Sequence, residues 1–206
     1  NLITLHIKRK QLPIFYLFFF IFLLSSGNSR LYAEENRAFN FSTLNLNNGL
    51  SQLSVLDICQ DDKGYIWFAT RNGLNKYDGT HFTIYKHSNR DNNSLSDNHI
   101  TKLLPDNVRG GLWVGTNNGL NYLDPKTNLI TNYQLADYPE LPSNSILSLC
   151  LDKSGKLWVG TRLGLCFWQP ENKTFKLVTL DGQLDKESIT SLYIDTQIIM
   201  ICFRFY

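Results

Sequence analysis

Several things are missing from this 206-residue chain, and each absence removes a class of function. The four cysteines, Cys59, Cys150, Cys166 and Cys202, form no Cys-x-x-Cys pair and no zinc spacing. The histidines, His6, His81, His87 and His99, show no pairing suited to a metal. Serine, histidine and aspartate all occur, but without a nucleophile elbow, and no phosphate-binding loop is present. No paired acid and base stands out as glycan or acyl-transfer chemistry would need. No window carries a sustained i, i+3, i+4, i+7 apolar stripe, which disfavours a helical repeat. These absences leave no cofactor and no metal expected.

Acidic residues are also missing from the first 33 positions, where Lys8, Arg9, Lys10 and Arg30 lie. The formal charge of +2 therefore misleads: beyond residue 33 there are 16 basic and 18 acidic residues. Nothing in that balance favours nucleic acid. The basic cluster is followed by an apolar run from Leu12 to Leu24, then Ser25-Ser26-Gly27 and Leu31-Tyr32-Ala33. The run is shorter than the roughly 20 residues of a spanning helix. Charged flank, short apolar core and small residue together read as an export signal over 1–33, with an uncleaved anchor as the alternative.

What is present is a repeat, and a period in the forties allows a propeller blade or a helical solenoid. Ile66-Trp67-Phe68-Ala69-Thr70-Arg71-Asn72-Gly73-Leu74 returns as Leu112-Trp113-Val114-Gly115-Thr116-Asn117-Asn118-Gly119-Leu120. It returns again as Leu157-Trp158-Val159-Gly160-Thr161-Arg162-Leu163-Gly164-Leu165. The tryptophans are 46 and 45 residues apart. Gly64, Gly110 and Gly155 lie three residues before them; Thr70, Thr116 and Thr161 lie three after; Gly73, Gly119 and Gly164 lie six after. Asp61, Asp106 and Asp152 precede the first glycine, with one extra residue in the second copy.

Each period resolves into four short strands separated by turns. In the third copy these are Ser145–Leu151, Lys156–Thr161, Leu165–Trp168 and Thr174–Val178. The first strand is apolar on both faces, as strands between packed sheets are, and the fourth is more polar, as an edge strand is. Four-stranded antiparallel repeats of this length predict an all-β chain that is part of a β-propeller. The expected organisation is a lead-in over 34–48 with a strand at 39–44, then blades at 49–94, 95–140 and 141–185. A truncated fourth blade is expected over 186–206. There Ser188–Asp195 matches Ser145–Asp152, but 196–203 replaces the glycine turn and the tryptophan signature. With Asn1 as first residue, this reads as an incomplete or frame-disrupted product of a longer gene, since propellers close with about four to eight blades.

The pattern resembles the two-component regulator propeller repeat. Gly49-Leu50-Ser51, Asp61, Gly64, Trp67, Thr70, Gly73-Leu74-Asn75 and Tyr77-Asp78 carry the likeness, which covers roughly 39–195. Ala69 departs from the signature glycine, and Cys166 and Gln169 from asparagine and aspartate. Similar proteins are hybrid sensor histidine kinases with periplasmic propellers ahead of a membrane helix, kinase, receiver and DNA-binding domain. The resemblance implies a ligand-sensing region on the periplasmic side of the inner membrane. It also implies an oligosaccharide ligand, further blades as partners, a homodimeric full-length receptor, and no catalytic domain within this chain. A secreted propeller enzyme acting on polysaccharides and a non-catalytic interaction scaffold are the alternatives.

The tryptophans, at one fixed place beside glycine, are expected to pack between sheets rather than to stack sugars. One aspartate per turn falls short of the six to eight oxygens of a calcium site, so those aspartates are expected to cap turns. The cysteines are expected to be buried small hydrophobes. In a four-strand meander the second-to-third turns and the blade-to-blade links share one face. That face gathers Arg71, Asn72, Asn117, Asn118 and Arg162, and the links over 88–98 and 137–144 with Tyr138. Amides, arginine and tyrosine suit a polar ligand. The exported protein should begin near Glu34 by mass spectrometry; an intact product inside the cell would contradict the export reading.

Overall fold

The computed structural model describes residues 41–179, 186–194 and 199–204. The expected export signal lies outside the described residues. So does part of the expected lead-in strand; its described part, 41–44, holds no strand. Instead Leu46–Asn48 forms one 3-10 turn, capped by the Asn45 side chain and closed by Gly49 at φ +102°. Asparagine favours such local capping over a strand ladder.

Three four-stranded antiparallel sheets follow, each strand paired with its neighbour in sequence. Blade one is β1 (Val55–Gln60), β2 (Ile66–Thr70), β3 (Gly73–Tyr77) and β4 (Phe82–Tyr85). Blade two is β5 (Ile100–Asp106), β6 (Gly111–Thr116), β7 (Gly119–Asp124) and β8 (Leu129–Tyr133). Blade three is β9 (Ile146–Leu151), β10 (Leu157–Thr161), β11 (Gly164–Gln169) and β12 (Thr174–Leu177). A fourth sheet holds β13 (Ser188–Ile194) and β14 (Ile199–Arg204). First strands lie against first strands from blade to blade, so they are innermost and the fourth strands are outermost. The arrangement is that of consecutive propeller blades.

The segment that lacks the tryptophan signature forms a second strand, with Ile194 opposite Ile199 and Ser188 opposite Arg204. A run rich in β-branched residues has the propensity to pair without the signature turn. Each first strand also carries an irregularity that the repeat does not advertise. Register shifts fall between Val55 and Asp57, between Ile100 and Lys102, between Ile146 and Ser148, and between Ile189 and Ser191. A bulge bends and twists a strand, and here it recurs at the same place in all four sheets.

One aspartate organises the hairpin between first and second strands. Asp61 Oδ1 accepts from the backbone N–H groups of Lys63 and Tyr65, both at 3.0 Å. Asp106 Oδ1 does the same for Val108 and Arg109, and Asp152 Oδ1 for Ser154 and Lys156. The second oxygen takes the indole N–H of the signature tryptophan: Trp67 at 2.8 Å, Trp113 at 3.0 Å and Trp158 at 3.1 Å. Trp67 and Trp113 are buried and Trp158 is half-buried. The expected cap is therefore also an anchor that fixes the ring. Burial opposes the charge on Asp106. Hydrogen bonds from Arg109 and Trp113 outweigh it and hold the carboxyl below the usual range. Asp152 is lowered in the same way, its bonds from Ser154, Trp158 and Lys156 outweighing burial. A depressed folded value means that this stabilisation is full above the unfolded value of about 4 and is lost as pH falls through the folded one.

Blades meet through small residues. A Cβ on Gly115 would stand 2.7 Å from Ile146 Cγ2, and one on Gly160 would stand 2.7 Å from Ile189 Cγ2. The isoleucine that opens each next blade fills the space the glycine leaves. Ala69, the departure in blade one, is fully buried in one cluster with Ile100. Polar hooks add to this contact: Asp57 Oδ2 accepts from Leu103 N at 3.0 Å, and Ser148 Oγ donates to Ile189 O at 2.9 Å. Cys166 is buried, Cys59 and Cys150 are half-buried, and Cys202 is exposed, against the expectation of burial. Burial pushes the Cys59 thiol up to about 12, helped by Asp57 and Asp61, and raises Cys150 and Cys166.

A second polar motif ties each blade's entry to its third strand. Ser51 N and Ser96 N donate to Asn75 Oδ1 and Asn121 Oδ1, each at 2.8 Å. Ser51 Oγ and Ser96 Oγ also meet Thr70 Oγ1 and Thr116 Oγ1, at 2.9 and 3.0 Å. Blade three has lost both partners together. Pro142 stands where the serines stand, after buried Leu141 as they follow Leu50 and Leu95, and Cys166 stands where the asparagines stand. Proline has no N–H to donate, so a buried amide there would lack its partner. Cys166→Asn alone should cost about 1–3 kcal/mol for the unmade bond, and adding Pro142→Ser should recover most of it. Denaturant unfolding checks this; a neutral Cys166→Asn would break the link between the two positions.

Candidate functional site

The turn between second and third strands is two residues long in each blade. Thr70 pairs with Gly73, Thr116 with Gly119 and Thr161 with Gly164. The threonine hydroxyl donates to the glycine carbonyl at 2.8, 2.7 and 2.9 Å. It accepts the backbone N–H of the second turn residue, Asn72, Asn118 or Leu163. Gly119 has φ +131°, and a Cβ there would lie 2.9 Å from Tyr133 O. Only glycine fits such a turn without strain. The turn is thus set by threonine and glycine, leaving the two residues between them free to vary.

The blade-to-blade links come to the same face. Gly73 N donates to Asn98 O at 2.7 Å and Gly119 N to Asn144 O at 2.8 Å, so each turn is bonded to the start of the next blade. Asn98 Oδ1 in turn accepts from His87 N, and Asn144 Oδ1 from Leu135 N, which fixes both ends of each link. Asn93 Oδ1 takes the Ile130 N–H on the outer strand of blade two, and Thr174 Oγ1 on the outer strand of blade three donates to Glu140 Oε2. The links therefore clamp across to the next blade. Asn98 and Asn144 escaped the sequence reading, although each stands two residues before the isoleucine that opens its blade.

On this scaffold the candidates separate into two groups. Arg71, Asn117 and Arg162 hold equivalent positions in successive blades, are exposed, and make no side-chain hydrogen bond among the described residues. Asn72 and Asn118 are partly spent on structure: Asn72 Nδ2 donates to Ser51 O at 3.5 Å, and Asn118 Oδ1 accepts from Asn144 Nδ2 at 3.2 Å. Tyr138 does not stand free on the rim. Its ring packs with Tyr133, Trp168 and Phe175 at centroid distances of 5.3, 5.9 and 5.8 Å. Such aromatic packing gains more from burial than a tyrosine in a solvated loop does. Beside Leu163 the same face carries a cavity of about 450 Å³, lined by Pro139, Glu140, Pro142, Leu163, Leu177 and Lys186. Leucine in place of the asparagine of the other two turns makes this end of the arc more apolar. Among the described residues no group of three or more His, Cys, Asp or Glu side chains is placed to hold a metal.

Sheet order, the tryptophan–aspartate hairpins and the blade contacts define a β-propeller repeat protein. The family model described as two component regulator propeller matches residues 49–72 and 140–162, within the first and third repeats. A histidine kinase P4 of Formosa agariphila is 39% identical over 87 residues, 42% of this chain and 6% of that protein. The extracellular domain of a B. thetaiotaomicron protein described as a hybrid two-component system superposes with a TM-score of 0.52 at 27% identity. That match covers 78% of this chain and 29% of that one. The virginiamycin B lyase of Staphylococcus aureus shares the fold at a TM-score of 0.52 and 13% identity, over 70% of this chain and 47% of the lyase. The matches thus span 6% of the kinase and 29% of the extracellular domain.

Proposed function

We propose that this region is part of the exported, ligand-sensing propeller of a hybrid two-component sensor. In this reading a polar oligosaccharide is received on the rim formed by the second-to-third turns and the blade links. Binding is passed to a kinase elsewhere in the protein and, through it, to genes of glycan use. The observation that carries the reading is the arc of Arg71, Asn117 and Arg162. Each side chain is exposed on a turn whose shape is set by other residues, and the turns of Arg71 and Asn117 have their backbone tied to the next blade. Rigid turns with variable tips can change ligand without changing fold. Because the first two turns are bonded across a blade boundary, a ligand that bridges two tips would act on the packing of neighbouring blades. The likeness to a histidine kinase and to an extracellular two-component domain supports a sensory role. A periplasmic position and a homodimeric receptor belong to the same proposal.

Alanine at Arg71 or Arg162 should weaken oligosaccharide binding by about 0.5–3 kcal/mol, according to whether the lost contact is neutral or charge-assisted. Stability should change by no more than about 0.5 kcal/mol, since both side chains are exposed. Calorimetry with a glycan library on the complete protein, beside thermal melts, reads both quantities. If both variants bind as the parent does, the rim is not the receiving surface.

A further inference from the structure

The opposite face carries a feature found in blade two alone. Its first hairpin turn has one residue more than its neighbours, running Asp106-Asn107-Val108-Arg109-Gly110 against Asp152-Lys153-Ser154-Gly155. The longer turn leans on blade three. Val108 Cγ2 lies 3.6 Å from where a Cβ on Gly155 would stand. Arg109 reaches a cavity of about 240 Å³ whose other walls include Lys156, Phe167, Trp168 and Gln169.

Arg109 is held, not loose. Its Nη1 donates to Asp106 Oδ2 at 2.7 Å, and the Asp106 side chain is fully buried while that of Arg109 is 36% exposed. A guanidinium has five N–H donors in a fixed fork, and this bond uses one of them. Lys156 is steadied as well, with Nζ 4.5 Å from the centroid of the Phe167 ring, a cation–π geometry. Asp152, beneath the same wall, turns its Oδ2 to the Trp158 indole. Glu171 lines the cavity and is exposed. With Asp106 below and Glu171 at the edge, little net positive charge is left over. That suits a singly charged anion better than a doubly charged one.

We propose that this cavity between blades two and three binds a small carboxylate, either a free organic acid or the acid group of a sugar acid. Arg109 receives the carboxylate through its unused donors, Lys156 approaches from the facing wall, Gln169 offers an amide, and the rings of Phe167 and Trp168 form the apolar side. Pre-positioned cations lower the ordering cost of binding. The one-residue insertion is what brings a cation from one blade into the wall of the next, and among the described turns it is blade two that carries it.

Calorimetry on the complete protein with glucuronate, lactate, glucose and inorganic phosphate tests the proposal. Glucuronate should bind and glucose, of similar size but uncharged, should not; phosphate should bind more weakly than either acid that binds. Binding of lactate as well as glucuronate identifies a carboxylate site, and binding of glucuronate alone identifies a sugar-acid site. Lys156→Gln leaves the Asp106–Arg109 pair intact and should weaken carboxylate binding about ten- to hundredfold, the loss of one charge-assisted bond. Arg109→Gln should weaken it at least as much, and a thermal melt shows whether that variant is folded. Arg71→Ala and Arg162→Ala should leave it unchanged, so this site and the rim stand or fall separately. Equal binding of glucose and glucuronate, no carboxylate binding by the parent protein, or an unaltered Lys156→Gln variant would overturn the assignment.

Discussion

A single carboxylate in each blade carries two loads at once. One oxygen of Asp61, Asp106 or Asp152 gathers the N–H groups of a tight turn, and the other holds the indole of Trp67, Trp113 or Trp158. The turn fixes where the second strand begins, and the ring fixes how that strand packs. A tryptophan buried without a partner for its N–H would be costly; an aspartate buried without donors would be costlier still. In blade two, where Asp106 and Trp113 are both buried, each therefore makes the other's burial tolerable. Beyond the tryptophan by two residues, Gly115 and Gly160 admit the isoleucine of the next blade. One more residue brings the threonine that closes the next turn. Turn, ring, blade contact and rim follow one another within fourteen residues of sequence, as from Asp106 to Gly119.

That order explains how conserved shape and variable tips coexist in one hairpin. The threonine hydroxyl and the glycine make the rim turn, and in blades one and two the asparagine that opens the next blade takes its N–H. Neither device uses the side chains between them, which are Arg-Asn, Asn-Asn and Arg-Leu in the three blades. The opposite face follows the same logic with a different lever. There an added residue, not a substitution, reaches into the neighbouring blade, and the buried Asp106 steadies the result.

Much of the architecture was readable because the repeat aligns itself. Three copies of one signature place the turns, and strand-length apolar runs fill the intervals. What escaped has physical causes. The bond between Asp106 and Trp113 joins residues seven apart across a hairpin, and neither residue type alone announces it. The bulge that skips Leu56 or Thr101 leaves no composition signal, because neither glycine nor any one residue type marks the skipped position. Tyr138 looked like a rim residue because it lies in a link; its ring instead packs with Trp168 and Phe175, a choice that only tertiary contact decides. The signature placed no strand over Ile199–Arg204 either way, whereas pairing needs only a suitable apolar run. Pro142 and Cys166 were visible as departures, yet their dependence on each other appears only when Ser51 and Ser96 are seen to meet Asn75 and Asn121.

The most direct test of the central constraint is a double-mutant cycle between Asp152 and Trp158. Blade three is the cleaner place for it, because Asp106 of blade two also binds Arg109. Denaturant unfolding of the complete protein would be followed for Asp152→Ala, Trp158→Phe and the pair. A shared hydrogen bond to a charged oxygen predicts a coupling of about 1.5–3 kcal/mol, the double variant losing less than the two single losses together. Single losses that add within about 0.3–0.5 kcal/mol would mean that the two side chains act independently and that the aspartate is a turn cap alone.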